Sequence, residues 1–418
     1  MKILYLLQDF PYPPTAGMRW KTYNLLSYMS RRHECHVLSF RDSSSTQEED
    51  DWIKSLPGLR VLGVFALPKG WGLKKQQAKN VILGNPPSLA RWESPLFSAA
   101  IRQVAKRNVY DVAHFDMINM AQYRPLLCDV PGVLSTNDAM EMRYKSIART
   151  SSNFLRRMSS YYKASRFAAY ETSALLNFAA LHVVSQVDAD FLIAGNPCVN
   201  NVEVISLCVD PSFLEILPSN ADSADIRGRK VILFTSGFFG APYIAEPIRQ
   251  FAKGGFQKIR SIWPNVEFFV IGRDSPVKVS RILAAEPGVR FVTWVEDYLG
   301  SLAKSDIAVF LDKSGSGIKT RVIQALAAGK PVVGTPVVFE GIKIEDGINA
   351  FQCATIDDVT DRVLQLLQNP ALRYNSGRLA RELIRQHYTE SVIGPQWELL
   401  YDRAIRRFRQ QRPSISLQ

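Results

Sequence analysis

The chain has 418 residues, more than one hydrophobic core usually supports, so we expect two domains. Its composition, 46% hydrophobic and 22% charged without a low-complexity tract, is that of a globular protein and excludes a fibrous or disordered chain. No apolar run approaches the roughly 20 residues of a membrane-spanning helix. The apolar start, MKILYLL, is cut by Gln8 and Asp9 with no cleavage site after it, so we expect a cytoplasmic protein.

The charge is strongly basic, because 51 Lys and Arg residues face 39 Asp and Glu residues, for a net charge of +12. Basic residues concentrate between Lys69 and Lys79, between Arg143 and Arg166, and towards Arg412. Such clusters are typical of solvated helix faces or of surfaces that attract an anionic partner, and both interpretations stay open. No zinc finger, RNA-binding signature or basic zipper accompanies them, so nucleic acid is not an expected partner. The five scattered cysteines predict free thiols in a reducing compartment.

The first half of the chain alternates short apolar runs with amphipathic stretches, which favours parallel sheets covered by helices. The opening strand leads through the loop PYPPTAG into a helix that carries Trp20, Leu26 and Met29. The stretch 142–177 has the pattern of one or two long helices. The strands predicted in this half are Ile3–Leu7, Cys35–Phe40, Val112–Phe115, Val133–Ser135 and Leu181–Ser185.

A second alternating series follows a polar segment, 210–229, which has the composition of a linker. Its predicted strands are Val231–Thr235, Val266–Ile271, Phe291–Trp294, Ile307–Leu311 and Val332–Gly334, and the end of the chain is helical by pattern. We therefore predict an α/β fold of two Rossmann-like doubly wound domains facing across a cleft. The predicted bounds are 1–212 and 213–385, with C-terminal helices, 386–418, that pack back on the first domain.

The stretch SGSGIKTRVIQALAAGKPVV, which begins at Ser314, predicts a glycine-rich loop, a helix and a strand. The helix is expected to begin near Gly317 or Ile318. The first backbone N–H groups of a helix have no internal partner and carry partial positive charge, so glycines there let an anion approach. Lys319 and Arg321 add two cations to this first turn, where cations are unfavourable unless an anion is present. A tight strand-to-helix turn without a ligand is the alternative.

This stretch resembles the donor-binding segment of the retaining GT-B glycosyltransferases of the family 4, or group 1, type. In one branch of that family the segment reads Gly-Ser-Gly-x-basic-x-basic, two apolar residues and Glu-Ala. The resemblance extends over most of the chain, because DVAHFD, VVSQVDADFL, FFVIG, KSDIAVFL and YTESVIGPQWELLYDRA follow in the family's order.

The resemblance implies a donor site for a nucleotide-sugar, such as a UDP- or GDP-sugar, and no cofactor. The residues that it assigns to this site are Gly17, Ser316, Gly317, Ile318, Lys319, Arg321, Gln324 and Glu340. Gly17 would lie under the diphosphate and the sugar, the loop would offer amides to the phosphates, and the two bases would be their charge partners. The family usually has a glutamate at position 324 for the ribose hydroxyls, and this chain has Gln324.

The resemblance also implies transfer with retention and without a clear protein nucleophile, so Lys319 and Arg321 are expected to stabilise the leaving diphosphate. Asp116 ends the DVAHFD strand and is a candidate to orient the acceptor or a sugar hydroxyl, with helix capping as the equal alternative. No metal site is expected, since Asp188-Ala189-Asp190 follows Ser185 at a helix start, where capping is favoured.

The predicted function is therefore glycosyl transfer from a nucleotide-sugar to a sugar or lipid-linked acceptor, in surface polysaccharide or glycolipid biosynthesis. The basic helices would let the protein sit peripherally on the inner face of an anionic membrane. Two alternatives stay open: a degenerate GT-B protein that binds a nucleotide or partner without turnover, and a sugar-nucleotide epimerase.

Overall fold

The computed structural model describes residues 1–14, 17–42, 46–151, 153–216, 230–237, 239–315 and 317–411. The chain divides into two compact units. The first contains Met1–Ala148, Met158–Ser206 and Ile393–Gln418, and the second contains Arg149–Arg157 and Leu207–Val392. The domain bounds given above remain predictions, and most of the expected linker, 217–229, lies outside the described residues.

The first unit is built on a seven-stranded parallel sheet with the order β3-β2-β1-β4-β5-β6-β7. Its strands are β1 (Lys2–Leu7), β2 (Glu34–Arg41), β3 (Leu59–Ala66), β4 (Val112–Asp116), β5 (Gly132–Asn137), β6 (Ala180–Val183) and β7 (Val202–Val204). Residues 3–7 of the central strand β1 are fully buried. Both faces of this strand are therefore covered, as expected for a parallel sheet with helices on its two sides.

Seven α-helices connect these strands or extend from them. They are α1 (Gly17–Met29), α2 (Gln47–Lys54), α3 (Gly70–Ile82), α4 (Pro95–Arg107), α5 (Met140–Thr150), α6 (Phe154–Leu175) and α7 (Gln186–Gly195), with 3-10 turns at Pro87–Trp92 and Ile118–Leu127. The predicted helical stretch 142–177 is thus two helices. Ser185 caps α7, because its hydroxyl accepts a hydrogen bond from the Asp188 N–H.

The second unit holds a six-stranded sheet with the order β10-β9-β8-β11-β12-β13, also parallel. Its strands are β8 (Lys230–Ser236), β9 (Val266–Gly272), β10 (Val289–Val292), β11 (Ile307–Phe310), β12 (Val332–Gly334) and β13 (Phe351–Gln352). The sequential neighbours of β8 lie on one side of it and β11 lies on the other. This reversal is the switch point of a doubly wound sheet.

The helices of this part of the chain begin with α8 (Pro211–Glu215) and end with a long terminal helix. The others are α9 (Pro242–Lys253), α10 (Gly255–Ile262), α11 (Val277–Ala284), α12 (Tyr298–Ala303), α13 (Thr320–Ala327), α14 (Ile356–Gln368), α15 (Pro370–His387) and α16 (Glu390–Gln411), with a 3-10 turn at Pro336–Phe339. The terminal helix α16 belongs mostly to the first unit, where its Trp397 and Tyr401 are buried.

The predicted fold class is confirmed: both units are α/β with doubly wound parallel sheets, and the chain ends in helices. Two strand predictions shift, because β10 begins at Val289 and ends before Trp294, and β6 ends at Val183, before the Ser185 cap. Three strands were not predicted: β3, β7 and β13. All five cysteines are free thiols.

Candidate functional site

The loop that leaves β11 carries most of the predicted site residues and lies at the switch point of the second sheet. Ligands bind at such a point, outside the carboxyl ends of the strands. The helix α13 begins at Thr320 and not near Gly317 or Ile318, as the sequence predicted. The helix begins later than predicted because Gly317 has a φ of 65°, which lies outside the right-handed helical region.

The side chain of Lys319 folds back over this loop. Its Nζ donates to the carbonyl oxygen of Gly317 at 2.7 Å and lies 4.0 Å from Oε2 of Glu340. A Cβ atom on Gly315 would lie 3.3 Å from Cε of Lys319, so the glycine leaves room for the lysine. The structure thus brings together Lys319, Gly317 and Glu340, three residues that were predicted to serve the donor.

Arg321 lies in the first turn of α13 and is paired with a carboxylate that the sequence reading did not single out. Its Nη2 donates to Oδ2 of Asp312, which follows β11. The guanidinium also lies 5.6 Å from the ring centre of Phe310 and 6.0 Å from that of Phe234. Within the described residues, Nε of Arg321 and Oδ1 of Asp312 are buried without a hydrogen-bond partner. This pair therefore has unused hydrogen-bonding capacity on both sides.

The remaining predicted donor residues of the second unit lie on the same loop and helix. Ile318 is buried, and Gln324 is half-buried one turn after Arg321. The amide of Gln324 makes no side-chain hydrogen bond among the described residues. Ser316, which was also predicted to offer an amide to the phosphates, lies outside the described part of the chain.

Asp116 lies at the switch point of the first sheet, where β4 neighbours β1. Its Oδ1 accepts from Nζ of Lys21 at 2.6 Å, and its Oδ2 accepts from the hydroxyl of Thr22 at 3.1 Å. Both partners lie on α1, so the carboxylate holds this helix to the end of β4. From the sequence, acceptor binding and helix capping were the two roles expected for Asp116, and this ion pair was not predicted. Lys21 had no local signal, since its partner is 95 residues away.

The ion pair belongs to a larger buried polar cluster in the first unit. Lys21 also donates to Oγ of Ser135 at 2.6 Å and to Oδ1 of Asn137 at 2.8 Å, both on β5. Burial alone would raise the pKa of Asp116, but Lys21 and the nearby His114 hold it below its ordinary value. The carboxylate is therefore charged at neutral pH.

Two histidines line this cluster and are kept neutral. His114 and His182 are fully buried, and burial lowers the pKa of each ring below its ordinary value. Nδ1 of His182 lies 2.9 Å from Oγ of Ser135, and its ring packs 4.3 Å from that of Trp397 on α16. Neutral imidazoles beside Lys21 avoid a second positive charge in a buried site.

Gly17 is the first residue of α1, one turn before Lys21. It is therefore tied through that helix to the cluster around Asp116, within the first unit. Lys319, Arg321, Gln324 and Glu340 all belong to the second unit.

No group of three or more metal-ligating side chains is found among the described residues. Asp188, the first residue of the Asp-Ala-Asp motif, is buried and accepts from the backbone N–H of Ala139 at 2.9 Å. The part of the chain that the structure describes contains no helix long and apolar enough to cross a membrane.

Comparison with known proteins finds a family match in the second unit and relatives of the chain. Residues 229–369 match the family described as "Glycosyl transferases group 1". The N-acetyl-alpha-D-glucosaminyl L-malate synthase of Bacillus anthracis is 26% identical over 186 residues, which are 43% of this chain and 47% of that enzyme. The match thus spans about half of the length of the curated relative.

Solved structures resemble the chain over nearly all of its length. HepE of Anabaena, solved in complex with UDP, has a TM-score of 0.64 at 14% identity and covers 96% of this chain and 100% of its own. WaaG, a glycosyltransferase involved in lipopolysaccharide biosynthesis, has a TM-score of 0.65 at 16% identity and covers 95% and 99%. At this identity the likeness shows the fold. The chain therefore has the GT-B fold, and its segment 229–369 is similar in sequence to the group 1 glycosyltransferases.

Proposed function

We propose that the protein is a retaining glycosyltransferase of the family 4 type, which moves a hexosyl or related sugar from a nucleotide-sugar donor to an acceptor. One observation carries the proposal: Lys319 and Arg321 both lie at the N-terminus of α13, at the switch point of the second sheet. Cations at this end of a helix are unfavourable without an anion, and the protein places the carboxylates of Asp312 beside Arg321 and of Glu340 4.0 Å from Lys319. A diphosphate at a loop with two positive-φ glycines, Gly315 and Gly317, would add acceptors for both cations and for the first N–H groups of α13.

The chemistry requires stabilisation of the charge that develops on the leaving nucleoside diphosphate. Arg321 has five N–H donors, of which Nη2 is used by Asp312, so the guanidinium retains donors for a phosphate. Lys319 adds an ammonium, whose hydrogen bond to the Gly317 carbonyl would be exchanged for one to a phosphate oxygen. The backbone amides of Gly317 and Ile318 would complete an electrostatic site that needs no protein nucleophile and no metal.

The remaining donor residues are assigned by their position around this loop. Gln324 would accept a hydrogen bond from the ribose, with about 1 kcal/mol less than a glutamate because charge assistance is lost. Glu340 lies beside Lys319 and would orient the sugar or the ribose. Gly17, at the start of α1 in the first unit, is assigned to the donor by the resemblance alone. The bound UDP of HepE supports a UDP-sugar as the first donor to test.

We propose that the acceptor is a lipid-linked or surface-polysaccharide intermediate at an anionic membrane. Exposed apolar side chains adjoin bases at the start of α6, where Phe154 is 61% and Leu155 is 77% exposed beside Arg156 and Arg157. Apolar residues flanked by bases insert at the boundary between headgroups and acyl chains. In the C-terminal basic run, Arg403 is less available to a membrane because it pairs with Glu203.

Ligand binding is tested first by thermal unfolding with UDP, GDP, ADP and the corresponding nucleotide-sugars. A ligand at about 100 times its Kd adds about 2.7 kcal/mol of stability, which is a readily measured shift. We expect one base family to shift the midpoint. Acceptor-dependent release of the matching nucleoside diphosphate then distinguishes transfer from the alternatives, because epimerisation releases none and interconverts the sugar without an acceptor. No shift with any nucleotide would contradict the proposal and favour a degenerate protein.

Membrane association is tested by flotation with vesicles of phosphatidylcholine alone and with added phosphatidylglycerol. We expect binding only to the anionic vesicles, and weaker binding after Arg156→Gln and Arg157→Gln together. Replacement of Lys253 and Lys258 by Gln together, two exposed lysines of the second unit, is the control with the same loss of charge.

A further inference from the structure

Lys21 is buried, although a lysine is among the residues least often found in a protein interior. It is 4% exposed, and its ammonium has acceptors on two neighbouring strands: Asp116 at the end of β4 and Ser135 and Asn137 on β5. The distances, 2.6, 2.6 and 2.8 Å, are those of strong charge-assisted hydrogen bonds. Three acceptors match the three protons of an ammonium group.

The donors and acceptors in this cluster can be assigned by starting from His182, at the opposite end from Lys21. Nε2 of His182 lies 2.8 Å from the carbonyl oxygen of Ile205, which can only accept, so Nε2 carries the proton. Nδ1 of the neutral ring is then an acceptor, and the hydroxyl of Ser135 donates to it. The lone pairs of Ser135 are left to accept from Lys21. Each hydrogen bond from Lys21 through Ser135 and His182 to Ile205 therefore donates in the same direction. Lys21 has no proton free for a substrate.

The cluster fixes two successive residues of α1. Lys21 is held by β4 and β5, and Thr22 donates to the other oxygen of Asp116. Both residues lie little more than one turn after Gly17, where α1 begins. A buried ion pair is weak evidence for a contribution to stability, because apolar side chains of similar volume often replace it without loss. What an apolar replacement lacks is the directional link between this helix and the two strand ends.

We propose that Lys21 is a positioning residue, which, through Asp116, Ser135 and Asn137, holds the first turn of α1 and its Gly17 against the carboxyl ends of β4 and β5. Asp116 then acts through Lys21 and does not contact the acceptor. The consequence for turnover rests on the proposed function, in which Gly17 is a donor-binding residue. The positioning itself is a property of the first unit and is measured without turnover.

The test compares Lys21→Met with the double variant Lys21→Met/Asp116→Asn. The single variant leaves Asp116 charged and buried without its cation, whereas the double variant removes both charges. Lys258→Met, at an exposed ion pair with Asp361, is the matched control. Urea unfolding measures stability, amide hydrogen exchange follows the peptide that covers 17–29, and acceptor-dependent release of nucleoside diphosphate measures kcat.

We expect the double variant to recover most of the stability that the single variant loses. In both variants exchange should rise in the first turn of α1 more than elsewhere in the first unit, and kcat should fall by about a hundredfold, as a misplacement of about 1 Å predicts. The diphosphate affinity of the second unit should stay within about twofold of the parent value.

Normal exchange in α1 of the double variant would overturn the proposal, and so would a normal kcat in an active enzyme. Either result would mean that Lys21 and Asp116 only neutralise each other's buried charge and do not position α1. Absence of nucleotide binding and turnover in the parent protein would overturn the proposed function instead, while the exchange measurement would still decide whether Lys21 positions α1.

Discussion

The two sheets each place a carboxylate and a cation from a helix at their switch point. We call the first pair closed because its cation uses all its protons within the protein. We call the second pair open because, among the described residues, each partner has a polar atom without a hydrogen bond. In the first unit Asp116 faces Lys21, and in the second Asp312 faces Arg321. The side chain of Lys21 is 3% exposed and uses all its protons, whereas that of Arg321 is 17% exposed. In the described residues, Nε of Arg321 and Oδ1 of Asp312 are buried without a partner.

The difference separates a structural pair from one that a ligand can complete. A buried polar atom without a hydrogen bond costs about 1–3 kcal/mol, so such atoms are uncommon in native proteins and a ligand that pairs with them gains affinity. In the closed cluster around Lys21, each of the three protons of the ammonium has an acceptor, so none is left for a ligand. A diphosphate bound at the loop before α13 would supply the acceptor that Nε of Arg321 lacks, whereas Oδ1 of Asp312 lacks a donor, which a ligand hydroxyl would supply.

Lys21→Met should have the largest effect on stability. Removal of one partner of a buried ion pair costs about 3–5 kcal/mol, because the other charge stays buried. Lys258→Met, where the ion pair is exposed, should change the free energy of unfolding by about 0.5 kcal/mol or less. Urea unfolding at pH 7 measures both, and equal effects of the two substitutions would break the distinction between closed and exposed pairs.

Glu171 is a second buried carboxylate of the first unit, but it has backbone partners in place of a cation. It accepts from the N–H groups of Met140 and Glu141 at the start of α5. Burial raises its pKa from 4.5 to about 7. The protonated form is thus favoured in the folded state, so its contribution to stability is complete below about pH 4.5 and is lost as the pH rises through about 7.

The prediction for Glu171 is a decline in stability of about 3 kcal/mol between pH 4.5 and 7 that Glu171→Gln removes. Urea unfolding at several pH values in this range compares the two proteins. A parent and variant with parallel pH profiles would show that the carboxyl of Glu171 titrates normally.

Gln324→Glu should have the smallest effect. A carboxylate that accepts from the ribose hydroxyls would tighten binding of the nucleoside diphosphate by about 1 kcal/mol or leave it unchanged. Titration calorimetry with UDP and with 2′-deoxy-UDP measures this, and the difference between the two ligands should be larger in the variant. Weaker binding of UDP to the variant would mean that position 324 does not face the ribose.

The sequence predicted elements well where burial on both faces leaves a continuous apolar run. The strand Ile3–Leu7 is of this kind and lies in the structure as Lys2–Leu7. The edge strand β3 was missed because its residues alternate between the interior and solvent, with Leu62 40% exposed and Gly63 in the middle. The strands β7 and β13 were missed because three and two residues give too short a pattern.

The candidate site was predictable where its signals are local in the chain. Glycines and bases within a few residues indicated the loop before α13, and Lys319 and Glu340 do lie together. The pairings of Arg321 with Asp312 and of Lys21 with Asp116 depend on the meeting of separate elements, which no local pattern encodes. The predicted start of α13 was too early because a glycine's positive φ is not visible in its sequence.

The central claim, that the open site of the second unit binds a diphosphate, is tested most directly by titrating UDP, or the nucleotide that the thermal panel selects, into the parent and Lys319→Ala/Arg321→Ala. Each charged hydrogen bond contributes about 1.5–3 kcal/mol, so the double variant should bind about a hundredfold more weakly or worse, with an unchanged fold by circular dichroism. Lys313→Ala removes an exposed lysine of the same loop and should bind within about twofold of the parent. Parent-like affinity in the double variant would contradict the account and place the diphosphate elsewhere.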